Sequence, residues 1–434
     1  MRVCCALALV ALACLCCRAQ PGAGPRVTLA PVGEGWARSS VNAAVFRQNS
    51  VVTQGNTQYI AFYDGEGSVI LAKRRLGATA WEVKKTAYSG NVKDAHNAIS
   101  IGIDGKGVLH MVWDLHGQAL RYVRGKSPGS LDLGEPLPMT GHLETRVTYP
   151  QFYPLADGDL LFVYREGSSG DGDVMINRYD VQSDKWRAIA HPLIDGEGQR
   201  NAYVNPMAID SKGGWHVSWI WRETPDVASN HDVCYAYSPD GGKTWRKSTG
   251  QRYTLPITAE SAEVAYPVPQ NSELINQTSM TVDAADRPLI VTYWRPRGAE
   301  VPQYHLIWRD GRRWQASQVG KRTTPFRLSG GGTKRIPISR PQVLAAKNRV
   351  YVVFRDEERG NGVSVAISED ARRARWRIVD LHREPVGAWE PSYDPVLWKR
   401  SGQMHLFLQK VGQGDAETLE NMPPQTVSVL QWVP

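Results

Sequence analysis

DAHNAISIGIDGKGVLHMVWDLHGQALRYVRG, residues 94–125, carries two alternating runs, AISIGID and VLHMVWD, on either side of a Gly-Lys-Gly turn. Strict alternation around such a turn predicts a β-hairpin centred on Lys106. His96 lies ten residues before that centre and His116 ten after it. Antiparallel pairing sets such positions face to face, so two imidazoles are expected at the open end of the hairpin. Facing histidines titrate near neutral pH, which suits proton transfer or metal binding. Read singly, the same pair is also two surface histidines at a loop mouth.

The construction recurs in the next two units. In YPQFYPLADGDLLFVYR (149–165) the turn centres on Asp157, with Tyr149 eight residues before and Arg165 eight after. In YVNPMAIDSKGGWHVSWIWR (203–222) the turn lies near Lys212, with Tyr203 nine before and Arg222 ten after. Three successive hairpins thus present His/His, Tyr/Arg and Tyr/Arg at their open ends. Stacked in register, they would bring six side chains to one face. For Tyr149 and Tyr203 packing at strand starts is the other reading, and for Arg165 an ion pair with Glu166 or an aspartate.

Outward from these hairpins the chain repeats itself. Seven units of strand, Asp/Asn/Gly turn and aromatic-rich strand are expected. They begin at QYIAFYD (58), the His hairpin, YPQFYP (149), NPMAID (205), TSMTVDAAD (278), RPQVLAA (340) and PSYDPVLW (391). No amphipathic helix of useful length interrupts them. Such repetition predicts an all-β, seven-bladed β-propeller, with the ring closed by an N-terminal strand from VTLAPVGEGW or VNAAVFRQN. Residues 20–434 are expected to form that single catalytic domain.

Residues 1–19 read as a signal peptide: Arg2, then the apolar CALALVALACLCC, then Arg18-Ala19 before Gln20. The apolar run is too short to span a bilayer, and no later stretch could, so the protein is expected to be secreted or periplasmic. Five of the six cysteines fall in that leader, leaving Cys234 without a disulfide partner. Net charge is +8, or +6 without Arg2 and Arg18, and tryptophans number 15. Dispersed positive charge with many aromatics suits an anionic polysaccharide, because rings stack on sugars and arginines hold acid groups. Nucleic acid is excluded as a partner on that dispersion and the lack of a recognised motif. A monomer is expected.

The convergent set has the parts for abstraction of a proton α to a carboxylate. A β-elimination needs a base, an acid for the leaving oxygen, and a cation on the carboxylate. His96, His116, Tyr149, Arg165 and Tyr203 supply each, with Asn97 and Arg222 as candidate substrate contacts. Glycoside hydrolysis by the usual route needs two carboxylates, and the hairpin ends offer none.

The segments 94–122, 148–173 and 201–245 resemble the BNR-repeat polysaccharide lyases of families 24 and 25, the ulvan lyases. The resemblance is strongest over residues 90–250 and weaker, at repeat level, elsewhere. It implies a seven-bladed propeller that cleaves rhamnose-uronate linkages and leaves 4,5-unsaturated uronate ends. It gives His96 and Tyr149 the base and acid roles and Arg165 the carboxylate, with His116 and Tyr203 in support. SPDGGKTW (238–245) also matches the Asp-box, S-x-D-x-G-x-x-W, of sialidase-like propellers, which is evidence of fold and not of chemistry.

His216, His231 and Cys234 form a second constellation. A thiolate with two imidazoles is zinc-like ligation, and the lyases are similar here in carrying a structural metal. A structural zinc or calcium ion is therefore expected, none being required for the chemistry. The other reading is a buried cysteine beside a core histidine. Two rival functions stay open. One is a sialidase-like hydrolase with Arg165, Arg222 and Arg295 or Arg355 as its arginine triad. The other is a non-catalytic carbohydrate-binding propeller.

Overall fold

The computed structural model describes residues 26–44, 46–370 and 373–434. The leader predicted over 1–19 lies outside them. The described chain is all-β apart from short helical turns. It opens with β1 (Val27–Gly35) and then runs through consecutive strand sets. The first is β2 (Val51–Gln54), β3 (Thr57–Tyr63), β4 (Ser68–Arg75) and β5 (Glu82–Ser89). The second is β6 (Ser100–Ile103), β7 (Leu109–Val112), β8 (His116–Gln118) and β9 (Tyr122–Arg124). The third is β10 (Val147–Pro154), β11 (Leu160–Ser168), β12 (Asp171–Asp180) and β13 (Lys185–Ile194). The fourth is β14 (Asn201–Val204), β15 (Ala208–Ile209), β16 (Trp215–Arg222), β17 (Asn230–Ser238) and β18 (Glu263–Tyr266). The fifth is β19 (Ser279–Val282), β20 (Pro288–Trp294), β21 (Gln303–Asp310) and β22 (Arg313–Val319). The sixth is β23 (Gln342–Ala346), β24 (Arg349–Phe354), β25 (Val363–Ser368) and β26 (Arg377–His382). The helix α1 (Pro395–Ser401), β27 (Met404–Leu408) and β28 (Gln425–Trp432) end the chain.

Pairing within the first, fifth and sixth sets is antiparallel between neighbours in sequence, whereas in the second β7 pairs with β9 and in the fourth β14 pairs with β16. The third and fourth sets are not separate sheets, because Gly172 on β12 pairs in parallel with Asn201 on β14. Glycine permits this approach: a Cβ at 172 would lie 2.3 Å from the Asn201 side chain. The first strand joins the last, with β1 antiparallel to β28 from Val27↔Trp432 to Gly35↔Gln425. Early strands of successive sets touch, β2 with β6, β6 with β10, β15 with β19, β19 with β23, and β27 with β2. Asp394, the N-cap of α1, also holds Thr53 on β2 and Gln58 on β3.

The apolar core is distributed between these sets. One cluster joins the first and second sets through Tyr59, Leu71, Ile101 and Met111. Another joins the third and fourth through Ile176, Trp215, Trp219 and Trp245. A third carries the sixth set onto β27, β28 and β3 through Val365, Trp389, Leu406 and Phe62. The inner strands are therefore buried on both faces, which explains a strand as uniformly buried as WHVSWIWR.

Turns repeat a single device. Asp104, Asp210 and Asp283 each accept, through Oδ1, the backbone N–H groups two and four residues on. Asp104 and Asp210 extend it inward: their Oδ2 atoms lie 3.2 Å from Nε2 of His110 and His216. Nδ1 of those histidines lies 2.7 Å from the hydroxyls of Tyr122 and Tyr235. In the Asp-box, Thr244 N–H and its hydroxyl donate to Asp240 while Trp245 packs, fully buried, on Trp215. Among the described residues, no helix is long and apolar enough to cross a membrane.

Candidate active site

The three hairpin mouths meet at one cleft, with about 780 Å³ of free space counted out to open solvent. His96, His116, Tyr149, Arg165, Tyr203 and Arg222 all line it, and among the described residues no carboxylate does. The local geometry that puts them there departs from simple hairpins. β6 and β7 pair as predicted, Ser100↔Val112 about Lys106. Beyond Asp114, whose φ is +57°, the strand leaves β6, and β8 pairs with β10 instead. The imidazoles still meet, stacked at 4.0 Å between ring centres with planes 12° apart.

In the second hairpin a bulge between Thr148 and Gln151 shifts the ladder, so Arg165 stands opposite Thr148 and not Tyr149. Tyr149 occupies the left-handed region at φ +55°, an uncommon conformation for a bulky residue. Its ring lies under the Arg165 guanidinium, 4.9 Å from the centroid. In the third hairpin Arg222 faces Asn201, one diagonal step from Tyr203, and sits 4.6 Å over the Tyr203 ring.

Asp94 organises the histidines. Its Oδ1 lies 2.7 Å from His96 Nδ1 and its Oδ2 lies 2.6 Å from His116 Nδ1. Both bonds hold its carboxyl well below the usual carboxylate range despite burial. Glu417 Oε1 lies 3.3 Å from His96 Nδ1 as well. Burial alone would lower the proton affinity of His96, but Asp94 and Glu417 outweigh it and raise it above the ordinary value. His116 has one carboxylate, and burial, with the charge of His96, lowers its affinity. Nδ1 of each ring is spent on a carboxylate, so Nε2 is left as the working nitrogen.

Arg165 donates from Nη2 to Thr148 Oγ1 (3.0 Å), and its buried Nε has no partner. Among the described residues it pairs with no carboxylate, whereas neighbouring Glu166 is taken by Arg146. Arg222 is held by neutral oxygens, Asn230, Asn276 and the Tyr203 hydroxyl. Burial and the neighbouring Tyr203 push the Tyr149 phenol far above its ordinary value. Burial also pushes Tyr203 upward, but Arg222 and Arg165 bring it down to about 8. Tyr203 is thus the phenol that loses its proton first.

Other predicted residues are placed elsewhere. Asn97 is buried, its amide donating to the Asn91 carbonyl, and does not line the cleft. His216, His231 and Cys234 are not brought together. On the β16–β17 ladder Cys234 faces Trp219, and His216 is three residues from Trp219, so the two point to opposite faces. His216 belongs to the Asp210–Tyr235 turn lock that His110 repeats. His231 lies between Glu223 and Asp232, 2.9 and 3.1 Å away, and Cys234 is fully buried. Among the described residues, only Asp94, His96 and His116 stand at metal-ligand spacing. Their fit to an ion is poor: near-parallel rings 4.0 Å apart cannot both hold one ion in plane. Arg355 is spent on backbone carbonyls and Asn361, and Arg295 on Glu273. The third cleft arginine is Arg340, bidentate on Glu390.

Sequence reasoning missed Asp94, Phe46, Arg340 and Glu417. Asp94, two residues before His96, was legible as a partner in the DAHN stretch. Phe46, stacked on His96 at 5.0 Å, and Glu417 come from remote segments with no local signal.

The profile described as BNR repeat-containing family member matches residues 57–322. The short isoform of ulvan lyase from Alteromonas sp. (strain LOR) is 25% identical over 291 residues, 52% of this chain and 54% of that protein. A long isoform from Alteromonas sp. is 25% identical over 271 residues, 48% of this chain and 27% of that protein. The chain thus matches between about a quarter and a half of the length of these relatives. Among solved structures, the polysaccharide lyase Uly1 superposes with a TM-score of 0.66 at 17% identity, covering 89% of this chain and 90% of that one. A PL25 ulvan lyase bound to -[GlcA(1-4)Rha3S]- gives 0.67 at 14% identity, covering 88% and 96%. The all-β, propeller-like fold is common to them.

Proposed function

The chain belongs to the BNR repeat-containing family, and on that premise we propose that it is a polysaccharide lyase acting on a uronate-containing anionic polysaccharide by β-elimination. The observation that carries the reading is Arg165, a buried cation without a counter-charge, stacked on Tyr149 in a cleft that it shares with the histidine pair and, among the described residues, with no carboxylate. An unpaired buried guanidinium is costly unless a ligand supplies the anion, and its fork matches a carboxylate. The 25% identity to ulvan lyases supports the same class and favours a rhamnose-uronate polymer.

In this reading Arg165 takes the uronate carboxylate and draws charge from C5. Tyr203, whose phenol Arg222 and Arg165 bring down to about 8, accepts the C5 proton, while the Tyr149 phenol, pushed far above its ordinary value, keeps its own. The C4–O bond breaks, and His96, kept protonated by two carboxylates, donates from Nε2 to the leaving oxygen. A C4–C5 double bond remains. His116 and Arg222 hold this arrangement in place. No step needs a metal, and the structural ion expected at His216, His231 and Cys234 has no assembled ligand set to support it. The six strand sets and the sheet of β27, β28 and β1, with β27 also on β2, favour a closed seven-bladed ring. Export through the leader and a monomeric state complete the proposal.

The test is ultraviolet absorbance during incubation with ulvan and a panel of other uronate polymers. A conjugated double bond raises the absorbance, and the rise should vanish in His96→Ala and fall steeply in Tyr203→Phe. Reducing ends without a double bond would replace the lyase by a hydrolase. Binding with neither product would leave a lectin.

A further inference from the structure

Glu417 lies 321 positions from His96 in the sequence and on no hairpin mouth. It sits in the short turn Asp415–Glu417 between β27 and β28. Ala416 and Glu417 both occupy the left-handed region, at φ +50° and +65°. Two such non-glycine residues in succession are sterically disfavoured and persist only where the surroundings hold them. What holds them here converges on one carboxylate. Oε1 accepts from Thr333 N–H (2.7 Å) and lies 3.3 Å from His96 Nδ1, and Oε2 accepts from Ala95 N–H (3.0 Å). The backbone repeats the tie, Ala416 N–H donating to Thr333 O (2.9 Å) and Arg335 N–H to Asp415 Oδ1 (2.8 Å). Thr333 Oγ1 stands 3.4 Å from the same His96 nitrogen. Three segments remote in sequence are thereby pinned on one ring.

We infer that Glu417 is a positioning residue for His96, a second carboxylate on Nδ1 that fixes the ring in the cleft and distinguishes it from stacked His116. The arrangement is asymmetric in a way Asp94 alone is not. Asp94 gives one oxygen to each histidine, whereas Glu417 touches only His96. The charged and titratable groups around His96 are Asp94 on its own segment, Glu417 from the last turn, His116 from β8 and Tyr149 from β10. Arg340 stands beyond Phe46. The ring position follows from these contacts alone. The effect on turnover rests on the lyase reading above, in which His96 donates from Nε2.

The test pairs NMR titration of the His96 and His116 ring nitrogens with steady-state kinetics on the wild-type chain, Glu417→Gln and Glu417→Asp. Glu417→Gln is expected to lower the His96 midpoint and to move His116 far less. It should cut kcat about tenfold or more with little change in KM, as loss of general-acid support does. Glu417→Asp, which keeps the charge but draws it back, should give intermediate values. An unchanged His96 midpoint in folded Glu417→Gln overturns the assignment. Should that variant not fold, a wild-type midpoint in Glu417→Asp overturns it equally. If no polymer yields a double bond yet the midpoint still falls, the lyase reading fails and the role of Glu417 stands.

Discussion

The guanidinium of Arg165 rests 4.9 Å over the ring of Tyr149, and no carboxylate among the described residues pairs with it. Burying an uncompensated cation works against the fold, so the residue is kept for what it binds. Arg165→Met is expected to melt at the wild-type temperature or above while kcat/KM on the true substrate falls about 10²–10³-fold. A melt paired with the absorbance assay checks both. A large fall in melting temperature would make Arg165 structural.

Tyr203 should titrate early. Phenolate absorbance followed against pH should show one tyrosine ionising near 8, ahead of the others, and Tyr203→Phe should lack it. Lyase activity should climb through the same pH and lose that limb in the variant. The linkage has a definite sign: the folded chain releases this proton near 8, the unfolded chain near 10. The resulting stability is full above about 10 and is lost as pH falls through about 8. An early phenolate surviving in Tyr203→Phe would move the assignment elsewhere.

Asp94→Asn should disturb both histidines at once, since each gives Nδ1 to this carboxylate. Both midpoints are expected to fall, with turnover down about 10²-fold. If one midpoint moves alone, the carboxylate is not shared in solution.

Cys234 is fully buried in the tryptophan-rich core with its thiol pushed well up by burial, and neither expected histidine partner faces it. Cys234→Ala should cost about 1–2 kcal/mol as a small cavity and leave activity intact. Dialysis against a chelator should leave the melting temperature unchanged. A chelator-induced drop that Cys234→Ala abolishes would restore the metal site.

Asp240 should act on stability alone. Its carboxylate accepts from Thr244 N–H (2.8 Å), the Thr244 hydroxyl (2.7 Å) and the Ser238 hydroxyl (3.1 Å). Asp240→Ala is expected to cost about 1–2 kcal/mol with kcat/KM unchanged. Denaturant unfolding and the absorbance assay check it, and a selective loss of turnover would contradict it.

Alternation in residues 94–125, 149–165 and 203–222 determined three hairpins and, by counting from each turn, which side chains stand at their mouths. Period-2 patterning is local, so sequence suffices for it, and those six side chains do share one cleft. The Asp-box turn was equally legible, being closed within eight residues. Counting failed wherever the ladder slipped. The bulge at Tyr149 and the departure of β8 from β6 depend on packing between sets, not on local pattern. Residue type alone also misled at His216 and Cys234, which a three-residue offset sends to opposite faces. Only the tertiary structure could bring Phe46 and Glu417 onto His96 and leave Arg165 without a counter-ion. Those are contacts between segments far apart in the chain, fixed when the sheets pack and the first and last strands pair.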